Sequence, residues 1–490
     1  MSLLLQALLV FSVEAPTAVR FGVPLPEREL ARGLRLEGPG AAQLQWRRLQ
    51  PQPDPVTGRT WVEIAVQGAS GRMRIHAGGQ PAGGGLLRLG SDEEETESAR
   101  VRVRTWQWQD GRVDQLARTT FTALAALQDG EEFAPGESLS DASPELDRRW
   151  LGVRIARVFW QEAMVLPRDL GHGRTLRDEL RRYALLLPEA PGRRGRGDHV
   201  RSRQTVTNHE FDTVLGLARL GLYCGDERLL AQALAAARHL VDIDLDARSG
   251  LPFRHGPDHR VSPPEHGHAW LSGLLLVGCL AADDELIAAA GGIAAALTRR
   301  LGSGEGRHER LRDFGWPLHE LESWLRFAPD RAAARMASRL AAECVRRFDR
   351  AARCVRFGEG ERAHGLYLDR CWLSGGVLLP GLRAHAQRSG DPGVWGVCAQ
   401  LEAGLLARVA SGRDGLPLRA LVAGPTTIDE LRVSAAPEAC MLLDGMPATA
   451  LARVLQRTQV RRALAGMLRE DDPDLATSWS MIARCEWVYR

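Results

Sequence analysis

Residues 211–241 read FDTVLGLARLGLYCGDERLLAQALAAARHLV, and this stretch decides the fold. Apolar residues recur at helical spacing from Phe211 to Leu222, stop at the polar turn Cys224-Gly225-Asp226-Glu227, and resume from Leu229 to Val241. Two helices joined by so short a turn lie antiparallel, so the unit is a helical hairpin. The pattern returns in Leu271 to Leu280 and Leu286 to Leu301, around the turn Ala282-Asp283-Asp284, and again in Ala332 to Phe348. Further pairs begin near Gly315, Leu373 and Pro437, and the chain ends in an apolar stretch from Trp479 to Tyr489. The pair starts recur at roughly 50 residues, the upper end of helical repeats. Each pair carries a different loop insertion. That favours a closed (α/α)6-type toroid with its loops gathered at one mouth over a uniform solenoid.

Outward from the hairpins the texture changes. Residues 1–130 read as a small N-terminal β domain, a barrel or sandwich, residues 131–206 as a linker with first helices, and residues 207–490 as the toroid. Trp61 to Val66 alternates, Gly68-Ala69-Ser70-Gly71 reads as a turn, and Arg72 to His76 follows it. Val101 to Gln109 alternates toward Asp110-Gly111, a hairpin dipeptide, before Val113 resumes. Residues 78–99 read as a mobile loop, Gly-rich then acidic, and residues 187–206 as a basic loop.

Composition sets the outer limits. The chain has 490 residues, 44% of them hydrophobic and 26% charged, with a formal net charge of +3. These are the values of an ordinary globular protein, and so small a net charge gives no support to nucleic-acid or membrane-surface partners. There is no lysine, so no lysine base or Schiff-base nucleophile is available. The eight cysteines form no CxxC pair and sit mostly among apolar helical residues, the pattern of free buried thiols. The opening MSLLLQALLVFSVEAP lacks a basic n-region and reads as a strand rather than a signal peptide. The expectation is a cytoplasmic protein, with secretion as the alternative.

One segment concentrates chemistry. Phe253 to Gly273 (FRHGPDHRVSPPEHGHAWLSG) carries His255, His259, His266 and His268 where a Pro/Gly-rich loop enters a helix. Imidazole is the side chain whose proton moves near neutral pH, and loops on a rigid scaffold are favoured places for working groups. This stretch, together with Val19-Arg20-Phe21-Gly22-Val23-Pro24-Leu25-Pro26, Asn208-His209-Glu210-Phe211-Asp212 and Arg312-Asp313-Phe314-Gly315-Trp316, resembles the family of exo-rhamnogalacturonan lyase and YetA-like proteins. The resemblance implies an N-terminal RIFT-barrel domain ahead of an (α/α) toroid. It also implies β-elimination on uronate-containing, rhamnogalacturonan-like polysaccharides or oligosaccharides.

That chemistry needs a base near neutral pKa, a cation on the uronate carboxylate, and an acid for the leaving oxygen. His255, His259 and His268 are the expected bases and Tyr367 the expected acid. Arg312 is expected on the carboxylate, and Trp270 and Trp316 on sugar faces, with His266, Asn208 and Glu210 completing the binding set. For Trp270 and Trp316 the competing reading is core packing, and for Asn208 a helix N-cap. No cofactor is expected. A divalent metal on the four histidines with Asp258 and Glu265 is the minor alternative. The expected ligand is an acidic oligo- or polysaccharide. The rivals are a glycoside hydrolase using Glu210 or Asp212, paired across the mouth with Asp313 or Glu320, and a saccharide-binding homologue without turnover.

Overall fold

The computed structural model describes residues 8–38, 43–79, 88–95, 100–107, 113–121, 153–167, 174–184, 200–202, 205–206, 211–246, 248–253, 264–304, 311–356, 367–369, 373–410, 420–423, 428–431, 440–441, 443–444 and 481–489, with Leu187, Gly197 and Trp479 besides. Of the expected site residues, His255, His259, Asn208 and Glu210 lie outside them, as does the side chain of Tyr367.

The N-terminal part is built on two long antiparallel strands, β1 (Leu9–Pro26) and β4 (Arg59–Ala77). A short helix, α1 (Glu27–Leu30), follows β1. β2 (Leu34–Glu37) and β3 (Gln43–Arg48) pair with the free side of β4, and β8 (Val153–Ile155) with the free side of β1. Alternation places Leu9, Phe11, Val13, Val19, Phe21, Val23 and Leu25 in the core with Val62, Ile64, Val66, Met73 and Ile75. Gly68 to Gly71 is not a turn. Those residues lie inside β4, opposite register shifts between Val13 and Val19, so the glycines serve a bulge in a continuous strand. Among the described residues no pairing closes this sheet into a barrel.

The acidic part of residues 78–99 is also not a loop. β5 (Arg88–Glu95) pairs with β6 (Arg100–Gln107), with Glu93 opposite Arg102 and Glu95 opposite Arg100. β6 pairs antiparallel with β7 (Val113–Phe121), while the expected turn Asp110-Gly111 lies outside the described residues. Within residues 131–206 lie β8, α2 (Arg157–Glu162), α3 (Arg174–Ala184), β9 (Val200–Ser202) and β10 (Thr205–Val206).

Among the described residues the helical part contains four hairpins: α4 (Thr213–Cys224) with α5 (Glu227–His239), α6 (Ser272–Ala281) with α7 (Asp284–Gly302), α8 (Leu311–Phe327) with α9 (Arg331–Arg346), and α10 (Leu379–Ser389) with α11 (Pro392–Ala410). Two devices recur in their turns. The first helices of three hairpins stop at left-handed Gly225, Ala282 and Gly390, while the side chains of Asp226, Asp283 and Asp330 cap α5, α7 and α9. The first helices pack side by side in the order α4, α6, α8, α10, and α9 lies between α7 and α11 in an outer layer. Between the hairpins lie β11 (Phe348–Asp349) with β12 (Cys354–Val355). A sheet the sequence did not announce joins β13 (Tyr367–Asp369), β14 (Ala420–Ala423) and β15 (Ile428–Leu431).

The end of the chain closes the ring. Trp479 donates to the Leu180 carbonyl at 2.9 Å, Arg177 to the Val488 carbonyl at 2.6 Å, and Arg219 of α4 to the Arg484 carbonyl at 2.6 Å. On the other side, Gly376 lies so close to Met441 that a Cβ there would stand 2.4 Å from its carbonyl oxygen. The Cys440 and Cys485 thiols then meet across the seam. All seven described cysteines are free. No helix among the described residues is long and apolar enough to cross a membrane.

The sheet lies against the ring through α6. A Cβ on Gly22 would stand 1.7 Å from the Cys279 carbonyl oxygen, so β1 reaches α6 only because residue 22 has no side chain. Arg47 binds both Glu63 and Asp284, and Arg326 of α8 reaches Asp54 Oδ2 at 2.7 Å. Gly22→Ala is expected to destabilise the protein by about 3 kcal/mol through overpacking against backbone. Gly292→Ala, an exposed mid-helix site in α7 with nothing near its Cβ position, is expected to stabilise by about 1 kcal/mol. Urea unfolding of both variants checks the pair; equal effects would mean that the sheet does not sit on α6 as described.

Candidate active site

α6 starts without a cap of its own. Leu271 stands at its N-cap position and offers no side-chain acceptor, yet the first N–H groups of a buried helix must be satisfied. Two carboxylates from other helices supply the acceptors. Glu320 Oε2 of α8 accepts from Leu271 N at 2.9 Å, Ser272 N at 2.8 Å and Ser272 Oγ at 2.8 Å. Asp212 Oδ2 accepts from Gly273 N at 2.8 Å, while its Oδ1 caps α4 at Leu215 N, 3.0 Å away. Gly273 permits this approach, since a Cβ there would lie 2.3 Å from Asp212 Oδ1.

Both carboxylates are buried, and among the described residues one guanidinium answers both of them. The Arg484 guanidinium, brought in by the closing segment, lies 3.9 Å from the Trp316 ring centroid and 5.4 Å from that of Trp270. Burial, and then the neighbouring Glu320 charge, push the Asp212 carboxyl up to about 6. Burial also pushes Glu320 upward. Its hydrogen bond to His319 and the charges of His319 and Arg484 outweigh this and hold it below the usual carboxylate range. Burial lowers Arg484 from the ordinary guanidinium value, against the attraction of Glu320 and Asp212. Guanidinium stays protonated under such perturbation, so the cation persists.

In front of this cluster, a cavity of about 680 Å³ runs along the inner helices and is walled at one end by the β domain. Ser272, His319, Ser323, Arg219, Arg383, Asp444 and Arg484 line its helical wall, and Asp54 and Arg59 stand at the sheet end. His319 Nδ1 lies 3.3 Å from Glu320 Oε1. An ionised Glu320 fixes the proton on Nδ1 and leaves Nε2 as the basic nitrogen. A histidine held by a carboxylate in the wall of a cavity can take and return a proton. Among the described residues no group of three or more His, Cys, Asp or Glu could hold a metal ion.

The sequence-expected residues fall differently. His266 and His268 form a buried 3-10 turn ahead of α6. His268 Nε2 stands 2.8 Å from Arg312 Nη2, its Nδ1 is 3.2 Å from Glu265, and His266 Nε2 is 3.8 Å from Asp313. The structure thus gathers His266, His268, Arg312 and Asp313 in one polar knot, but none of them lines the cavity. Trp270 and Trp316 are 1% and 0% exposed and meet edge to face at 4.6 Å between centroids. They are core wedges that support Arg484 and have no face open to a sugar. Of the hydrolase carboxylates, Asp212 and Glu320 do come together, whereas Asp313 stands with His266. His319, Glu320 as its holder, and Arg484 were missed as a working set. The one signal for Glu320 was the capless start of α6, which demands an acceptor from elsewhere.

The Asp212 shift has a testable sign. Its ordinary value is 3.8 and its folded value about 6. The folded protein therefore binds the extra proton, and the stability this residue contributes is fully present below the lower value and lost as pH rises through the upper one. The unfolding free energy of the native protein minus that of Asp212→Asn is expected to fall between about pH 4 and pH 6. A difference that stays flat across this window would show that Asp212 titrates normally.

No family model matches the chain, and no curated protein does. The resemblance to the lyase family therefore stands on the quoted residues alone. Among solved structures, the chain is similar to cellobiose 2-epimerase from Bacillus thermoamylovorans B4167, at 11% identity over 60% of this chain and 88% of that one, with a TM-score of 0.46. It is similar to a sugar epimerase from a ruminal bacterium, at 9% identity over 51% and 71%, TM-score 0.40. It is also similar to unsaturated glucuronyl hydrolase from Bacillus sp. GL1, at 15% identity over 52% and 66%, TM-score 0.36. With superpositions this loose, what the cavity does rests on its own residues.

Proposed function

We propose that this chain is a carbohydrate-active enzyme that cleaves a uronate-containing saccharide by β-elimination inside the ring, with His319 as the proton-transferring group. The observation that carries the reading is His319 in the wall of the 680 Å³ cavity, its Nδ1 held by buried Glu320. In the proposed step, Nε2 takes the proton alpha to the carboxylate. The C–H electron pair becomes the new C=C bond, the neighbouring C–O bond breaks with its own electron pair going to the departing oxygen, and the His319 imidazolium returns its proton to that oxygen. The base is thus His319 rather than His268, whose imidazole is packed against Arg312. His255 and His259, the other expected bases, lie outside the described residues, and the reading gives them no role.

The hydrolase reading has one observation of its own. Asp212 near 6 beside an ionised Glu320 is the split in proton affinity that an acid and a base acting together require. Against it, every bond that these carboxyls make to α4 and α6 is structural, and neither residue lines the cavity.

The test is absorbance of the unsaturated uronate in the near ultraviolet during incubation with pectic and other uronate oligosaccharides. The native protein is expected to build the chromophore, and His319→Asn to slow it by about 10²- to 10⁴-fold. Loss of turnover in His268→Gln with His319→Asn unaffected would return the base to the histidine loop. Release of reducing ends without chromophore would select hydrolysis. Binding of the same saccharides with neither product would leave a non-catalytic saccharide-binding protein.

A further inference from the structure

We infer that Arg484 is the anion-recognition point of the cavity, and that the group it takes is a carboxylate carried on a saccharide; this rests on the cavity being the saccharide site. Arg484 is only 5% exposed, it lines the cavity, and its Nη1 has no hydrogen-bond partner among the described residues. A buried donor of this kind left without an acceptor is costly, and a charged one more so. The oxygens of Asp212 and Glu320 attract the guanidinium but are engaged by the backbone of residues 215 and 271–273, by Ser272 Oγ and by His319. The guanidinium is therefore held in place with an unused N–H.

Its position is fixed from two sides. The Trp316 ring lies beneath it, and Arg219 holds its backbone carbonyl at 2.6 Å. The field of the lining favours an anion, with Arg59, Arg219, Arg326, Arg383 and Arg484 against Asp54 and Asp444. Two of these arginines are already matched, Arg326 to Asp54 and Arg383 to Glu402 at 2.6 Å. A singly charged planar group suits the guanidinium fork. A dianion would meet the Glu320 charge behind it. The volume is within the range of pockets that enclose a small organic ligand.

Arg219 of α4 already holds the segment that carries Arg484, so a ligand that binds the folded protein there raises its thermal stability by mass action.

The experiment is thermal unfolding of the full chain titrated with galacturonate, galactose and inorganic sulfate. Galacturonate and galactose differ at the carboxylate, so the native protein is expected to bind galacturonate at least about tenfold more tightly, with sulfate giving no comparable shift. Arg484→Lys, which keeps the charge and loses the fork, is expected to bind galacturonate about 10- to 100-fold more weakly. The readout is binding and not turnover, so carboxylate recognition can stand even if no elimination is found. Equal shifts by galacturonate and galactose would overturn the assignment, as would an equal shift by sulfate, which would mark an adventitious ion only. An undiminished galacturonate shift in Arg484→Lys would overturn it as well.

Discussion

The ring depends on one buried cation. Asp212 and Glu320 come from different helices and converge on the N-terminus of a third, and two carboxylates so placed cannot both remain ionised in a dry core without a positive partner. The positive end of α6 supplies part of that compensation. Arg484 supplies the rest from residues at the far end of the chain. Its guanidinium takes the face of Trp316, where a cation is attracted and a hydrated one would not fit. The electrostatic balance of the first inner helices is therefore completed only when the chain end docks. Closure of the ring and neutralisation of its core are one event.

Close backbone approach prepares that event. Gly216 on α4 meets Ala483 and Trp479, Gly376 meets Met441, and Gly22 meets α6. At each point a side chain would hold apart the surfaces that the charged cluster draws together. Glycine costs conformational entropy in a helix or strand, and here the burial of Trp270, Trp316, Trp479 and Tyr489 offsets it. The sheet adds a fixed wall at one end of the cavity through Asp54 and Arg326, so the cavity belongs jointly to both parts of the chain.

How much of this was legible in the sequence follows from the range of each interaction. The hairpins were legible because their causes are local: apolar spacing, a left-handed stop and an aspartate cap within a few residues. The strand over Gly68 to Gly71 was misread because glycines that break a strand locally can serve a bulge when a long partner strand lies alongside. Glu93 and Glu95 were misread as loop because they stand in an unbroken acidic run, while their cross-strand arginines come only after Thr96 to Ala99. The histidine stretch was legible only as a concentration of polar residues. His266 and His268 stand beside Asp313, Glu265 and Arg312, away from the cavity, and His255 and His259 lie outside the described residues. Trp270 and Trp316 were open between two readings, and only burial separates them.

The candidate site escaped for the same reason that it is well held. His319 and Glu320 are adjacent in sequence, but nothing local says that one faces the cavity while the other caps a helix 48 residues earlier. That division of labour has a chemical consequence. The charge that fixes the His319 tautomer is the same charge that satisfies Leu271 and Ser272, so Glu320 cannot move without uncapping α6. A base whose holder is part of the helix scaffold keeps its orientation without further reorganisation when a ligand enters. The constraint on the fold and the preparation of the imidazole are thus one set of bonds, and Arg484, which completes the first, is placed to read the ligand for the second.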